Sequence, residues 1–376
     1  MGATSGLYRH VVAEGEDAER VAMTIVDQLA SPDLRLAIVF ADWRLDPSAI
    51  ARTLARFGAP VVGCTATSFV ARDAPAIGAV AIGFYGEWLR VGIGIAPELS
   101  KSALARGRDA LAAACESLGT TPAALDPTRH VALTMFDGRS GHEEAFCIGS
   151  AAAAPQIRMV GGAAGTDLQS MQRPYVWCNG ELLGDAGVIV VLDSALPFQV
   201  VSSSHLVATT TRTVVTAAAG RVIEELDGMP AAQRLRELVL TDSFDASRPS
   251  EISFARIIDG VPYVRSMTRI DGDRIHLATA VESGHVLRVM RGGDLVGTTR
   301  RELAAAAARL DGSIGAFIAF SCIARHWEAT LRGLDRALDE VYAAYPTTGF
   351  HSLGEQSGML LVNHTLTGLA LGELPR

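Results

Sequence analysis

The sequence predicts an α/β fold of mixed α+β type, with mixed sheets lying under helices, and three observations carry that prediction. One pattern occurs three times in the same internal order: an apolar run, a polar turn, a helical stretch, a Gly-bearing strand and a further apolar strand. A second pattern, an apolar strand followed by a turn and an Ala-rich amphipathic helix, occurs twice. Closely spaced strands separated only by turn residues make up the third. A doubly wound sheet is the competing architecture, and the strand pairs around Asp185 and Gln356 argue against it, because they leave no room for a crossover helix.

The first copy of the triple pattern reads RLAIVFADW, DPSAIARTLARFG, PVVGCTATS and IGAVAIGFYG. The second reads HVALTMFDG, HEEAFCIGSAAAA, IRMVGGAAG and AGVIVVLDS. GAFIAFSCIAR, HWEATLRGLDRALDEVYAAY, PTTGFHSLG and SGMLLVNHT form the third. The paired pattern joins residues 88–115 to residues 285–310, and in each a Ser or Thr in the turn is the expected N-cap. Four strands, ISFARIIDG, VPYVRSMTRIDGD, RIHLATAVESG and HVLRVMRGG, follow the polar stretch TDSFDASRPSE, and Asp271-Gly272 marks a hairpin among them. That polar stretch, residues 241–251, is the expected boundary between two domains, 1–244 and 245–376, packed together without a flexible linker.

With 49% hydrophobic and 20% charged residues, the 376-residue chain reads as globular, and no stretch approaches the roughly 18 uninterrupted apolar residues of a spanning helix. A formal net charge of -8 without a basic run argues against nucleic acid as a partner. The N-terminus has neither a signal-peptide pattern nor a myristoylation signal, so the expected location is the cytoplasm and no membrane contact is expected. Lys101 is the only Lys, a bias that suggests a GC-rich bacterial source. Five Cys, widely spaced and without C-x-x-C, indicate neither a disulfide framework nor a structural zinc site.

Candidate site residues concentrate in the third copy. Arg325 follows a buried-looking strand, where its guanidinium would fork onto a ligand carboxylate, or else form a salt bridge to Glu355 or Glu328. Glu355, in a Gly-flanked turn, would meet an amine or cap a backbone group, so the two together suit an amino-acid-like zwitterion. Asn363 would orient the ligand beside His364, with Phe320 and Phe350 as apolar walls. Gly161, Gly162 and Gly349 would admit a ligand against the backbone, or mark bulges. Neither a dinucleotide nor a P-loop glycine motif is present, and His142-Glu143-Glu144 lacks the second His of a helical zinc site. Cys322, with Arg325 and His326 close in sequence, reads either as a thiol nucleophile of a hydrolase or transferase or as a small buried side chain.

Phe320-Ser321-Cys322 with Arg325, Gly349-Phe350 with Gly354-Glu355, and Asn363-His364-Thr365 together resemble the C-terminal domain of the FIST family. PVVGCTATS, MVGGAAGTD and residues 215–231 resemble its N-terminal domain and the passage between the two, so the resemblance spans roughly residues 30 to 372. It implies an intracellular signal-transduction sensor of small ligands such as amino acids, not a catalyst. No kinase or cyclase region accompanies it here, so a separate protein such as a histidine kinase is the expected partner. Some stand-alone members are haem-containing nitric oxide sensors, which makes His326, His351 and His364 candidate haem ligands and leaves the cofactor open.

Overall fold

The computed structural model describes residues 6–167, 170–241, 252–258 and 260–373. Three units with one plan follow each other along the chain, β-α-β-α-β, then a short edge segment that is a single strand in the first unit and a hairpin in the other two, then a last strand. The first runs through β1 (Tyr8–Glu14), α1 (Ala18–Leu29), β2 (Leu34–Asp42), α2 (Pro47–Leu54), β3 (Val61–Ala66), β4 (Phe69–Ala71) and β5 (Gly78–Tyr85). In the second, β6 (Leu89–Ala96), α3 (Leu99–Ser117), β7 (His130–Asp137), α4 (Glu143–Ala152) and β8 (Arg158–Ala164) lead to a hairpin, β9 (Val176–Cys178) and β10 (Glu181–Leu183), and to β11 (Gly187–Ser194).

The third unit opens with β12 (Phe198–Ser204) and is then interrupted by an inserted sheet. The insert contains β13 (Val207–Ala219), β14 (Val222–Leu226), β15 (Met229–Pro230), α5 (Ala231–Thr241), β16 (Ile252–Ile258), β17 (Val261–Arg265), β18 (Met267–Asp271), β19 (Arg274–Leu277) and β20 (Val286–Arg291). The unit resumes with α6 (Leu295–Arg309), β21 (Ala316–Cys322), α7 (Ile323–Leu331), α8 (Asp335–Ala343), β22 (Thr347–Ser352), a hairpin of β23 (Glu355–Ser357) and β24 (Leu360–Val362), and β25 (Thr365–Leu371).

Each unit builds the same three-strand centre: its first inner strand pairs parallel with its Gly strand and antiparallel with its last, as in β5-β2-β3, β11-β7-β8 and β25-β21-β22. The Gly strands align at one position. Gly63, Gly161 and Gly349 face Val39, Thr134 and Ala319, and a Cβ on any of the three would come within 2.1 Å of the facing carbonyl oxygen. Counting three residues on from those partners makes Asp42, Asp137 and Cys322 equivalents, each ending its strand.

The outer edges are exchanged in a ring. The sheet of the first unit is completed by β9-β10 of the second, that of the second by β23-β24 of the third, and that of the third by β4 of the first. The inner faces of all three sheets share one apolar core, including Phe40, Val62, Leu133, Val160, Phe320 and Phe350. Outer faces are covered by helices: α1 and α2 on the first, α3 and α4 on the second, α6 with α8 on the third.

The inserted sheet has eight strands, a core of its own and α5 packed against it. It docks on the start of α4 through Glu143 with Arg221 and Glu144 with Arg265. The expected domain boundary, residues 241–251, lies outside the described residues apart from residue 241 at the end of α5, and the strands on either side of it are neighbours in this one sheet, β13 beside β20 and β20 beside β16. The expected hairpin at Asp271-Gly272 is formed by β18 and β19. The capping expectation fails in detail: Asp294 caps α6, while Glu98 stands at the cap of α3 and the carboxylate of Asp185, from the loop before β11, receives the backbone N–H of Ser100 instead.

Candidate functional site

The inner strands of all three units end at one pole, and α7 lies there. Its inner stripe, Ile323, Arg325, Glu328 and Ala329, is buried at helical spacing, which turns His326 and Trp327 outward. Those two rings separate three clefts. His326 borders the first, of about 540 Å³, and the second, of about 430 Å³; Trp327 borders the second and the third, of about 410 Å³. The second cleft draws on every unit, with Trp43, Thr67 and Ser68 from the first, Thr166 from the second and Leu353 from the third. Among the described residues, the wall of the third cleft includes the start of α7 at Cys322–Ala324, Asn363, Arg139 and the β18-β19 hairpin of the inserted sheet.

Arg325 does not reach these clefts. It is fully buried, its Nη2 donates to Thr299 Oγ1 at 2.7 Å and its Nη1 lies 3.4 Å from His205 Nδ1. Arginine only donates, so that contact makes Nδ1 of His205 the acceptor and puts the proton on Nε2, which donates to Glu328 Oε2 at 2.7 Å. His364 reaches the same oxygen through Nε2 at 3.0 Å, and Arg332 takes Oε1 at 2.6 Å. Burial would raise the Glu328 carboxyl, but the hydrogen bonds from both imidazoles hold it well below the usual carboxylate range. Burial also lowers His205 to about 4, so its ring is neutral. His205, Glu328 and His364 bring three ligand-type atoms within 4.8 Å of one another, yet both imidazole Nε2 atoms point N–H groups, not lone pairs, at the carboxylate. The cluster is a hydrogen-bonded anchor for α7.

Glu355 is separate from Arg325. The expected pairing on a zwitterion is not formed, because β23 inserts Glu355 between sheets, where Ser352 and Thr365 donate to its two oxygens at 2.6 Å each. Burial pushes its carboxyl up to about 8, so it carries a proton at neutral pH. Cys322 hydrogen-bonds to it, and burial together with that carboxyl drives the thiol far above its ordinary range, the reverse of an activated nucleophile. All five Cys are free and buried.

The glycines and phenylalanines expected at the ligand serve the core. Phe320 and Phe350 pack at 5.7 Å between ring centroids with Phe40 beside them, and they occupy the space a Cβ on Gly162 would need. Gly161 lies against Thr134. The ligand here is another strand of the same protein.

The histidines do not fit a haem. Both ring nitrogens of His364 have partners in Ser253 and Glu328, His351 bonds Ser68 through Nδ1 and is covered by the His326 ring at 4.4 Å, and His326, stacked on that ring, opens onto clefts whose walls mix Phe69, Val70 and Leu338 with Ser68, Asp335 and Asp339. A haem needs an imidazole lone pair facing an apolar slot.

Of the residues singled out in the sequence, Cys322, Asn363, His326 and His351 border the clefts; Arg325, Glu355, His364, Phe320, Phe350, Gly161 and Gly162 hold the surrounding structure. Sequence reading missed Trp327, Ser68, Thr166, Arg139 and Arg269. A signal for Arg139 was available: Asp42-Trp43-Arg44 and Asp137-Gly138-Arg139 stand at equivalent strand ends, and in each the Asp accepts the backbone N–H of the Arg.

Family models match most of the chain: the FIST N domain over residues 35–229 and the FIST C domain over residues 231–358. The chain belongs to the FIST family. Membership points to a sensory role in signal transduction. No curated protein matches this FIST chain. Among solved structures, a cyanuric acid hydrolase from A. caulinodans aligns over 98% of this chain and 99% of that one, at 10% identity and a TM-score of 0.43, too weak a likeness to carry fold or chemistry across. No helix among the described residues is long and apolar enough to cross a membrane.

Proposed function

We propose that this FIST protein is a cytoplasmic bacterial sensor that binds an amino-acid-like metabolite in the clefts around α7 and signals through a separate protein such as a histidine kinase. The observation that supports this reading is the placement of α7: one short helix borders three clefts whose walls come from all three units, and it is anchored underneath by a buried charged cluster. A ligand that moves His326 or Trp327 moves a helix tied to the core and to the inserted sheet, through His364 and Ser253. Small-molecule pockets of this size class bury most of a metabolite with a few polar groups to orient it.

The test is native mass spectrometry of the purified chain, followed by thermal-shift titration with whatever co-purifies and with a panel of metabolites. The expected result is a bound small molecule whose stabilising effect is reduced by His326→Ala or Trp327→Ala. Absence of any bound species, together with a flat response across the panel, would overturn the proposal.

A further inference from the structure

We infer that the third cleft is the ligand's seat and that it takes a carboxylate whose neighbouring nitrogen is acylated, an amide-bearing anion as opposed to a free zwitterion. This deepens the sensor reading and rests on it. Three observations carry the inference.

The first is an orphan. Asn363 is 1% exposed, borders the cleft, and its Oδ1 has no hydrogen-bond partner. A buried carbonyl oxygen left unpaired is destabilising, and a ligand N–H delivered there removes that cost. The second is the end of α7. This nine-residue helix begins at the cleft without a side-chain cap, so the backbone N–H groups of its first turn, with the positive end of the helix dipole, face an anion's position.

The third is the balance of charge. Arg139, Arg221 and Arg269 border the cleft, and among its described lining residues none is acidic. Arg221 is paired with Glu143, but among the described residues Arg139 donates to neutral oxygens of Thr166, Ser170 and Gln172 and Arg269 has no ion-pair partner. Glu355, the residue expected to receive an ammonium group, lies beneath the cleft with its oxygens occupied. A carboxylate therefore has cationic partners here, whereas an ammonium would find the Asn363 oxygen but no anion to balance its charge. Acylating the nitrogen removes the unmatched charge and leaves the N–H that Asn363 lacks. Arg269 and the β18-β19 hairpin belong to the inserted sheet, so the ligand's anion would join that sheet to α7.

The experiment is isothermal titration calorimetry of the intact chain with a set of N-acetyl amino acids, the same amino acids unacetylated, and inorganic phosphate. Binding is expected for members of the N-acetyl set, at least tenfold tighter than their free counterparts, and weakening as salt rises. Arg269→Ala, an exposed position, should lower affinity at least tenfold. Asn363→Leu should do the same while leaving the thermal stability of the unliganded chain unchanged or higher, which a structural role for the amide would not allow. Equal or tighter binding of the free amino acids, phosphate binding alone, or no binding by any of the set overturns the inference. A ligand found by native mass spectrometry that is indifferent to both substitutions and lost with His326→Ala also overturns it, and in that case the sensor reading stands.

Discussion

Two buried carboxyls in the same region behave in opposite ways, and each gives a measurable prediction. Glu355 is raised to about 8 in the folded chain, above its unfolded value, so its contribution to stability is complete below about pH 4.5 and is lost as pH climbs to about 8. Thermal melts from pH 5 to 9 should show a falling midpoint on that limb, and Glu355→Gln, which cannot titrate, should flatten it. A slope that survives the substitution would assign it to another group. His205 and His10 work on the acid side: burial lowers both to about 4, so the stability they contribute is full above about pH 6.5 and disappears as pH drops towards 4. Glu328 is different because it stays charged. Glu328→Gln would take away the anion that receives His205, His364 and Arg332, and we expect a loss of roughly 1.5–3 kcal/mol in denaturant unfolding, the usual worth of hydrogen bonds to a charged group. A change below about 1 kcal/mol would show that the cluster contributes little. Little of this was legible in the sequence, since His205 reaches Arg325 and Glu328 across 120 and 123 residues, His364 reaches Glu328 across 36, and only the fold decides which atoms face each other.

At the level of the element, periodicity did most of the work. The three copies read from the sequence are the three units of the fold, because an apolar run between turn signals specifies a buried strand wherever it sits. Gly161, Gly162 and Gly349 read in the sequence either as places where a ligand approaches closely or as bulges; a close approach is made at Gly161 and Gly349, and the partner is the carbonyl of the parallel strand. Gly349→Ala would bring a methyl group to 2.0 Å from Ala319 O, so about 3 kcal/mol or more should be lost, whereas Gly58→Ala, with open space around it, should cost little. Equal midpoints for the two variants in urea would contradict that account. What periodicity could not supply was the partner of each hairpin. A three-residue strand such as β4 or β23 carries no address in its own residues, and its position comes from the lengths of chain that precede and follow it. The site suffered for the same reason: its walls come from hairpins and loop residues of different units, while the sequence points mainly to the third copy, with Gly161 and Gly162 from the second.

For the molecule as a whole, the inserted sheet and the exchanged ring make contrasting predictions. The insert leaves and re-enters at neighbouring points, for a Cβ on Gly293 would come within 2.3 Å of the carbonyl oxygen of His205. Replacing residues 206–292 with a short Gly-Ser linker should therefore leave a chain that folds around the central core and loses one wall of the third cleft. Circular dichroism and a cooperative melt would confirm it, and an insoluble product would show that the insert is integral. The ring allows no such excision, since each sheet needs a neighbour's strand. Its effect is also one of timing. The first sheet has its full complement β1-β5-β2-β3-β9-β10 once Leu183 has been made, but β8, ending at Ala164, waits for β23, which starts at Glu355. At ordinary translation rates that interval is roughly ten to forty seconds. Throughout it, a newborn chain carries an apolar strand with an open edge, the kind of surface that recruits other chains or a chaperone. A message cut short anywhere in that interval would yield a product with no strand of its own to cover β8, so the hairpin of β23 and β24 guards the solubility of the part made long before it.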